Sequence, residues 1–338
     1  MRLLLPALVL FAAAVATAQS GPAISDTAIT ASANPPVLSA FGFFKGSPSE
    51  PSSALIPYAL RTPLFSDYAE KRRFMHLPAG TRITVDEAGK VVFPVGTALI
   101  KSFGYPTETG GLKIIETRIL LHRAEGWVAL PYVWRADGRD ADLRVGGTRV
   151  PVHFKSPKGE GKDISYSVPN KNQCKQCHSS DNAIMPVGPV WQNLLFPRDG
   201  DRAALMQQLS LPKTALAIEA QWDNPKSGTL DQRANAYLRV NCGHCHAPKG
   251  SASNSGLILD GSARDVTAYG IGKRPVAAGR ASGNMDFIIE PGYPERSILI
   301  NRMNSTDPGI AMPEVGRATI HEEGAKLLED WIAAMPKG

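Results

Sequence analysis

Every cysteine of this 338-residue chain lies in one of two pentapeptides of the same form. The first is CKQCH at residues 174–178 and the second is CGHCH at residues 242–246. In a C-x-x-C-H sequence the two thiols, three positions apart, share one face of a helical turn, and an imidazole follows directly. Any fold of this chain must therefore present two thiols and a histidine together at two places.

This pattern is the attachment sequence of c-type haem. The two thiols can add to the vinyl groups along one porphyrin edge, and the histidine can reach the iron. We therefore predict two haem c groups. The predicted thioether residues are Cys174, Cys177, Cys242 and Cys245, and the predicted axial ligands are His178 and His246. Two disulfides or a zinc site are the alternatives, although Cys177 and Cys242 are further apart than the roughly 15–20 residues of a zinc ribbon.

The N-terminus predicts export. An apolar run from Leu3 to Ala14 precedes a small-x-small site ending at Ala18, which is typical of a signal peptide covering residues 1–18. Residues 19–36 have the composition of a flexible leader. No later apolar run approaches the length of a membrane span, so we expect a bacterial periplasmic protein with no transmembrane segment after cleavage. The net charge is +6, but positive and negative residues are mixed along the chain. Because the protein is also expected to be exported, we do not expect it to bind nucleic acid.

Residues 37–170 predict a β-rich domain. Short segments rich in β-branched and aromatic residues are separated by Gly, Pro and Asp, which favours an antiparallel sandwich or barrel. The predicted strands are Arg82–Val85, Val91–Phe93, Ala98–Phe103, Lys113–His122, Trp127–Trp134, Thr148–Phe154 and Ile164–Val168. Residues 171–227 carry the first haem-attachment motif, and we expect this segment to pack on the β domain.

Residues 228–338 predict an all-α, class I-like cytochrome c domain that carries the second haem. Thr229 with Gln232, and Thr319 with Glu322, form capping-box pairs at the start of two amphipathic segments. We expect the two helices to pack across each other, with Gly- and Pro-rich loops between them. The predicted fold class of the whole chain is therefore α+β, with several domains.

The sixth ligand of the second haem should come from these loops. Met312 lies just ahead of the last helix, and a thioether is a soft ligand that raises the haem potential. Met285 and Met303 compete with it, but Met303 has the spacing of a core residue. His244 and His321 are expected at the surface.

The sixth ligand of the first haem stays open at this stage. The candidates are Met185, His76, His122 and His153. A site with no sixth ligand is the other alternative, and it would point to an enzyme.

Several segments resemble an uncharacterised bacterial family of diheme c-type cytochromes, over about residues 40 to 336. The matching segments are FPVGT at 93–97, ETR at 116–118, VPNKNQC at 168–174, PVGP at 186–189, YLRVNC at 237–242 and PGYPERS at 291–297. The resemblance implies two haems and electron transfer. It implies no particular substrate, partner or sixth ligand for the first haem.

Three functions are therefore weighed. The first is an electron carrier whose redox partner proteins belong to a dehydrogenase or respiratory chain. The second is a diheme peroxidase-like enzyme with one five-coordinate haem. The third is a non-haem module with disulfides or a bound metal. The sequence favours the carrier, because no catalytic constellation accompanies the two motifs.

Overall fold

A computed structural model of the protein describes residues 23–87, 89–180, 183–211 and 217–337. In it, the β-branched and aromatic segments form strands, and the amphipathic segments form helices. The predicted signal peptide lies outside these residues. The strands are β1 (Ile56–Leu60), β2 (Glu70–His76), β3 (Ile83–Val85), β4 (Val91–Val92), β5 (Ala98–Pro106), β6 (Leu112–Arg123), β7 (Gly126–Trp134), β8 (Ala141–Leu143), β9 (Thr148–Lys155), β10 (Gly161–Val168), β11 (Ser179–Ser180), β12 (Ala183–Ile184), β13 (Leu194–Leu195) and β14 (Leu209–Ser210). The helices are α1 (Asp26–Thr30), α2 (Lys171–His178), α3 (Asp199–Met206), α4 (Leu230–Asn241), α5 (Ile298–Met303) and α6 (Glu322–Ala333).

The main sheet has seven strands in the order β13-β1-β2-β5-β6-β7-β8, and every neighbouring pair in it is antiparallel. The expected antiparallel sheet is confirmed, and all seven predicted strands are present with small shifts at their ends. The barrel alternative is wrong, because β13 and β8 stand at opposite edges of an open sheet. Four strands of this sheet, β1, β2, β8 and β13, were not predicted.

The two faces of this sheet are covered differently. On one face, α1 and the residues around Phe41 and Phe43 pack on side chains such as Ile100 and Tyr132. The fully buried Ile29 of α1 shows that the described part of the predicted leader belongs to the fold. On the other face, the small sheet β14-β3-β4 covers one end and the hairpin β9-β10 covers the other. The middle of that second face carries polar side chains.

The all-α cytochrome domain predicted for residues 228–338 is not supported. Helices α4, α5 and α6 hold only 12, 6 and 12 residues, and most of the segment is loop and single 3-10 turns. Its many Gly and Pro residues explain this, because they interrupt helices. The expected packing of α4 against α6 is present, with Tyr237, Leu238, Leu328 and Trp331 in one buried cluster. Over the described residues, strands outweigh helices, at about 27% against 22%.

The second predicted capping box is also wrong. Helix α6 begins after His321, which makes no side-chain cap. Thr319 instead donates its hydroxyl to Asp67, at 2.9 Å, and the backbone N–H groups of Ala318 and Thr319 donate to the same Asp67 oxygen. Asp67 is 2% exposed and thereby joins the loop before β2 to the C-terminal segment.

Among the described residues, no helix is long and apolar enough to cross a membrane. The longest helices have 12 residues, or about 18 Å at 1.5 Å per residue. A membrane span needs about 20 residues.

Candidate functional site

Helix α2 presents the first C-x-x-C-H motif. It begins with the capping box of Asn170 and Gln173, in which each side chain accepts a hydrogen bond from the other residue's backbone N–H. The eight-residue helix then ends on His178. Cys174 is buried under it, and burial raises the pKa of this thiol. The cap therefore fixes the turn on which both thiols and the imidazole lie.

His178 is oriented by the chain that follows it. Its Nδ1 lies 3.2 Å from the carbonyl oxygen of Met185, which can only accept, so Nδ1 carries the proton. Burial, with a smaller contribution from Lys101, lowers the pKa of His178 to about 4. At neutral pH the ring is thus uncharged, with the Nε2 lone pair available to a metal, as in metal-binding histidines.

The second motif follows α4, whose capping box of Thr229 and Gln232 is confirmed. The Nδ1 of His246 lies 2.9 Å from the hydroxyl of Ser255. That hydroxyl donates to the carbonyl of Ala252, so it accepts from His246 and fixes the same tautomer as in His178. Burial lowers the pKa of His246 as well. Both motif histidines are therefore neutral, and both are held through Nδ1.

The two motifs meet in space. Ligand atoms of Cys177, His244 and Cys245 all lie within 4.8 Å of one another. The hydrogen bond between the two thiols, with further bonds from His244 and Ser251, favours the thiolate on Cys245 and lowers its pKa, while the pKa of Cys177 is raised. His244 was expected to face solvent. This expectation is wrong, because the half-buried ring lies between the motifs.

A cavity of about 710 Å³ opens beside this junction. Its wall includes Cys174, Cys177 and His178 of the first motif and Gly243 and His244 of the second. Its volume lies within the roughly 300–1,000 Å³ of small-molecule and cofactor sites. Two thiols and a neutral imidazole on the wall of such a cavity fit a covalently held haem.

The methionines predicted as sixth ligands differ in their position relative to the cavity. Met312 is half-buried, with its N–H bonded to Arg302, and the next residue, Pro313, lines the cavity. The side chain of Met185 also lines the cavity, whereas its carbonyl holds His178. Met303 is 8% exposed in the α4–α6 core, as expected.

The three histidine candidates for the first haem are bonded elsewhere. His76 contacts Asp26 at 2.7 Å, and His153 contacts Asp163 at the surface. His122 bonds the carbonyl of Phe93 and stacks on a tryptophan. None of the three is among the described residues that line the cavity.

His321 was expected at the surface, and this is also wrong. Its side chain is 12% exposed. It stacks on Phe65 with ring centroids 4.1 Å apart, and its Nδ1 bonds the hydroxyl of Tyr237. The aromatic residues of the 62–68 loop and of α4 enclose the ring from both sides.

A row of cations in the cavity wall was not predicted. Arg73, Lys101 and Arg118 lie side by side on β2, β5 and β6 and face the cavity. The signal in the sequence is a lone lysine inside the apolar strand β5, where a solvated side chain would not be expected.

Comparison of the chain with protein-family models, with curated proteins and with solved structures gives no match. The likeness to diheme c-type cytochromes therefore rests on sequence motifs. The structural observation that bears on function is that residues of both motifs line one cavity.

Proposed function

We propose that this protein is an exported, periplasmic diheme c-type cytochrome that transfers electrons between redox partner proteins. The observation that carries the proposal is the meeting of the two C-x-x-C-H motifs, with Cys177, His244 and Cys245 within 4.8 Å, beside a cavity of cofactor size. Two chance motifs in distant parts of a chain have no reason to meet in this way.

Each proposed residue has a distinct part. The cysteines of each motif hold one haem through thioether bonds, and His178 and His246 bind the two iron atoms through Nε2. Their Nδ1 partners, the Met185 carbonyl and the Ser255 hydroxyl, orient the rings and raise their basicity. When bound, haem supplies one-electron oxidation and reduction.

We assign Met312 as the sixth ligand of the second haem, in the loop-rich C-terminal segment that takes the place of a cytochrome c domain. Met312 is half-buried in the loop between α5 and α6, where its N–H donates to the carbonyl oxygen of Arg302. A thioether opposite a histidine raises the reduction potential, which suits an electron carrier.

The intact mass of the denatured, exported protein tests the proposal. The expected mass is that of residues 19–338 plus two haem groups, because thioether bonds survive denaturation. Replacing Cys177 and Cys174 by Ala should remove one haem, and replacing Cys242 and Cys245 should remove the other. A wild-type chain exported with the haem-attachment machinery and carrying no haem would contradict the proposal.

A metal site is a second candidate function, favoured by the Cys177–His244–Cys245 cluster. Two sulphurs and one imidazole form a ligand set that suits zinc, with a fourth position open. His244→Ala separates the two functions. If the cluster binds zinc, this variant should lose the ion in elemental analysis, whereas a diheme protein should keep both haems.

A further inference from the structure

The cation row crosses the middle of the main sheet. Tyr58, Arg73, Lys101 and Arg118 are direct neighbours on β1, β2, β5 and β6, and all four line the cavity. Like charges placed opposite each other across strands destabilise a sheet. A row of three cations in a cavity wall therefore needs negative charge close by.

In the part of the chain that the structure describes, only the Arg118 end of the row forms an ion pair. Arg118 forms an ion pair with the buried Glu116, which also accepts from Tyr166. Arg73 is 7% exposed, and its Nη2 is buried without a hydrogen-bond partner. Among the described residues, no carboxylate forms an ion pair with Arg73 or with Lys101.

Lys101 makes one compensating contact, since its ammonium lies 4.7 Å from the centre of the Phe103 ring. An aromatic face attracts a cation but does not replace a carboxylate. Burial lowers the pKa of both Lys101 and Arg73, which is the expected effect on cations kept from water without a counter-ion. Both side chains thus line the cavity without an ion-pair partner among the described residues.

The row also lies next to the first motif. The positive charge of Lys101 acts to lower the pKa of His178, and that of Arg118 acts to lower the pKa of Cys174. A molecule held in the cavity beside His178 would therefore have its polar edge within range of the cations.

We propose that Arg73 and Lys101 bind a carboxylate inside the cavity. Two molecules could supply this group: the propionates of the first haem, in which case the inference rests on the proposed function, or a free dicarboxylate. Guanidinium and ammonium groups form charge-assisted hydrogen bonds with either, and Arg73 presents the fork that pairs with a carboxylate.

The test uses the matured, exported protein with the variants Arg73→Gln and Lys101→Gln. The matched control is Arg72→Gln, which removes the same charge from the same strand on the opposite face, opposite Ser102. Circular dichroism and thermal melting establish that each variant is folded. Resonance Raman spectra report the propionate bending bands, and calorimetry with succinate reports a free carboxylate.

Three results decide the matter. If the propionate bands shift in Arg73→Gln and Lys101→Gln but not in Arg72→Gln, the haem supplies the carboxylate. If succinate binds the wild type and binds at least tenfold more weakly in the two variants, the ligand is a free anion. If the bands are unchanged in all variants and succinate does not bind, the inference is overturned.

Failure of this inference differs from failure of the proposed function. If the protein carries two haems but its propionate bands do not shift in the Arg73 and Lys101 variants, the proposed diheme cytochrome still stands. A protein whose mass shows no haem refutes the cytochrome, yet succinate binding to that protein would still support the carboxylate site.

Discussion

At the scale of single residues, the two motif histidines are prepared in the same way by different partners. His178 is held by the Met185 carbonyl and His246 by the Ser255 hydroxyl, so in both rings the lone pair is on Nε2. His321 is equally neutral but is enclosed by aromatic rings and does not belong to a C-x-x-C-H motif. A buried, neutral ring is therefore not specific to the motifs; what distinguishes His178 and His246 is the pair of thiols that precedes each of them.

Met312 and Met303 should respond oppositely to replacement by Ala. Met312→Ala is expected to open the second haem to carbon monoxide and to lower its potential, with little change in stability. Met303→Ala, in the α4–α6 core, should keep the spectrum but lower the free energy of unfolding by about 2–5 kcal/mol. Carbon monoxide titration and urea denaturation distinguish the two. Unchanged carbon monoxide binding in Met312→Ala would exclude it as the ligand.

His321 should make stability depend on pH. Burial lowers its folded pKa from 6.5 to about 3, so between these values the unfolded chain binds a proton that the folded chain does not. The free energy of unfolding should therefore rise with pH in this window, by up to about 1.4 kcal/mol per pH unit, and be fully present above pH 6.5. Denaturation of wild type and His321→Gln from pH 4 to pH 7 measures this. Equal slopes would refute the assignment.

At the scale of elements, the sequence is most informative where one face of a strand is apolar. Strands β5, β6 and β7 were predictable from their β-branched and aromatic residues. Strand β2, EKRRFMH, was missed because it opens with four charged residues, and Arg73 faces the cavity where a core residue would be expected. The strand that local patterns did not reveal thus supplies one cation of the row, Arg73, whereas Lys101 and Arg118 lie on the predicted strands β5 and β6.

The cap of α2 should affect the first haem alone. Asn170→Ala removes the acceptor for the Gln173 N–H, at a cost of about 1 kcal/mol. Because this short helix positions Cys174 and Cys177, we expect exported protein with a larger fraction lacking one haem. Mass spectrometry of tryptic peptides locates the loss. Thr229→Ala is the control, since it weakens α4 and should affect the second motif instead.

At the scale of the whole molecule, the two motifs meet through contacts that no local pattern contains. The motifs themselves are evident in the sequence, but their junction depends on α2 packing near β7 and on the 62–68 loop. The backbone N–H of Phe65 donates to Asn241 at the end of α4, and Asp67 accepts from Ala318 and Thr319. Such long-range contacts explain why the two motifs, but not the cavity that both line, could be found from the sequence.

Asp67→Ala should therefore loosen the C-terminal segment. It leaves three donors on Ala318 and Thr319 without their acceptor, which we expect to lower the free energy of unfolding by about 3 kcal/mol. Asp67→Asn keeps an acceptor oxygen and tolerates the positive φ of 49° at this position, so it should cost less. Urea denaturation compares the variants. Equal losses in both would show that the charge, and not the acceptor, joins the two parts.

Cys177 and Cys245 also set an order of events during assembly. In an oxidising compartment, neighbouring thiols form disulfides. A bond between these two sulphurs would remove one thiol from each attachment motif, so a single oxidation would block both haem sites. If the chain is the proposed cytochrome, haem would therefore have to be attached to these motifs before such a bond could form.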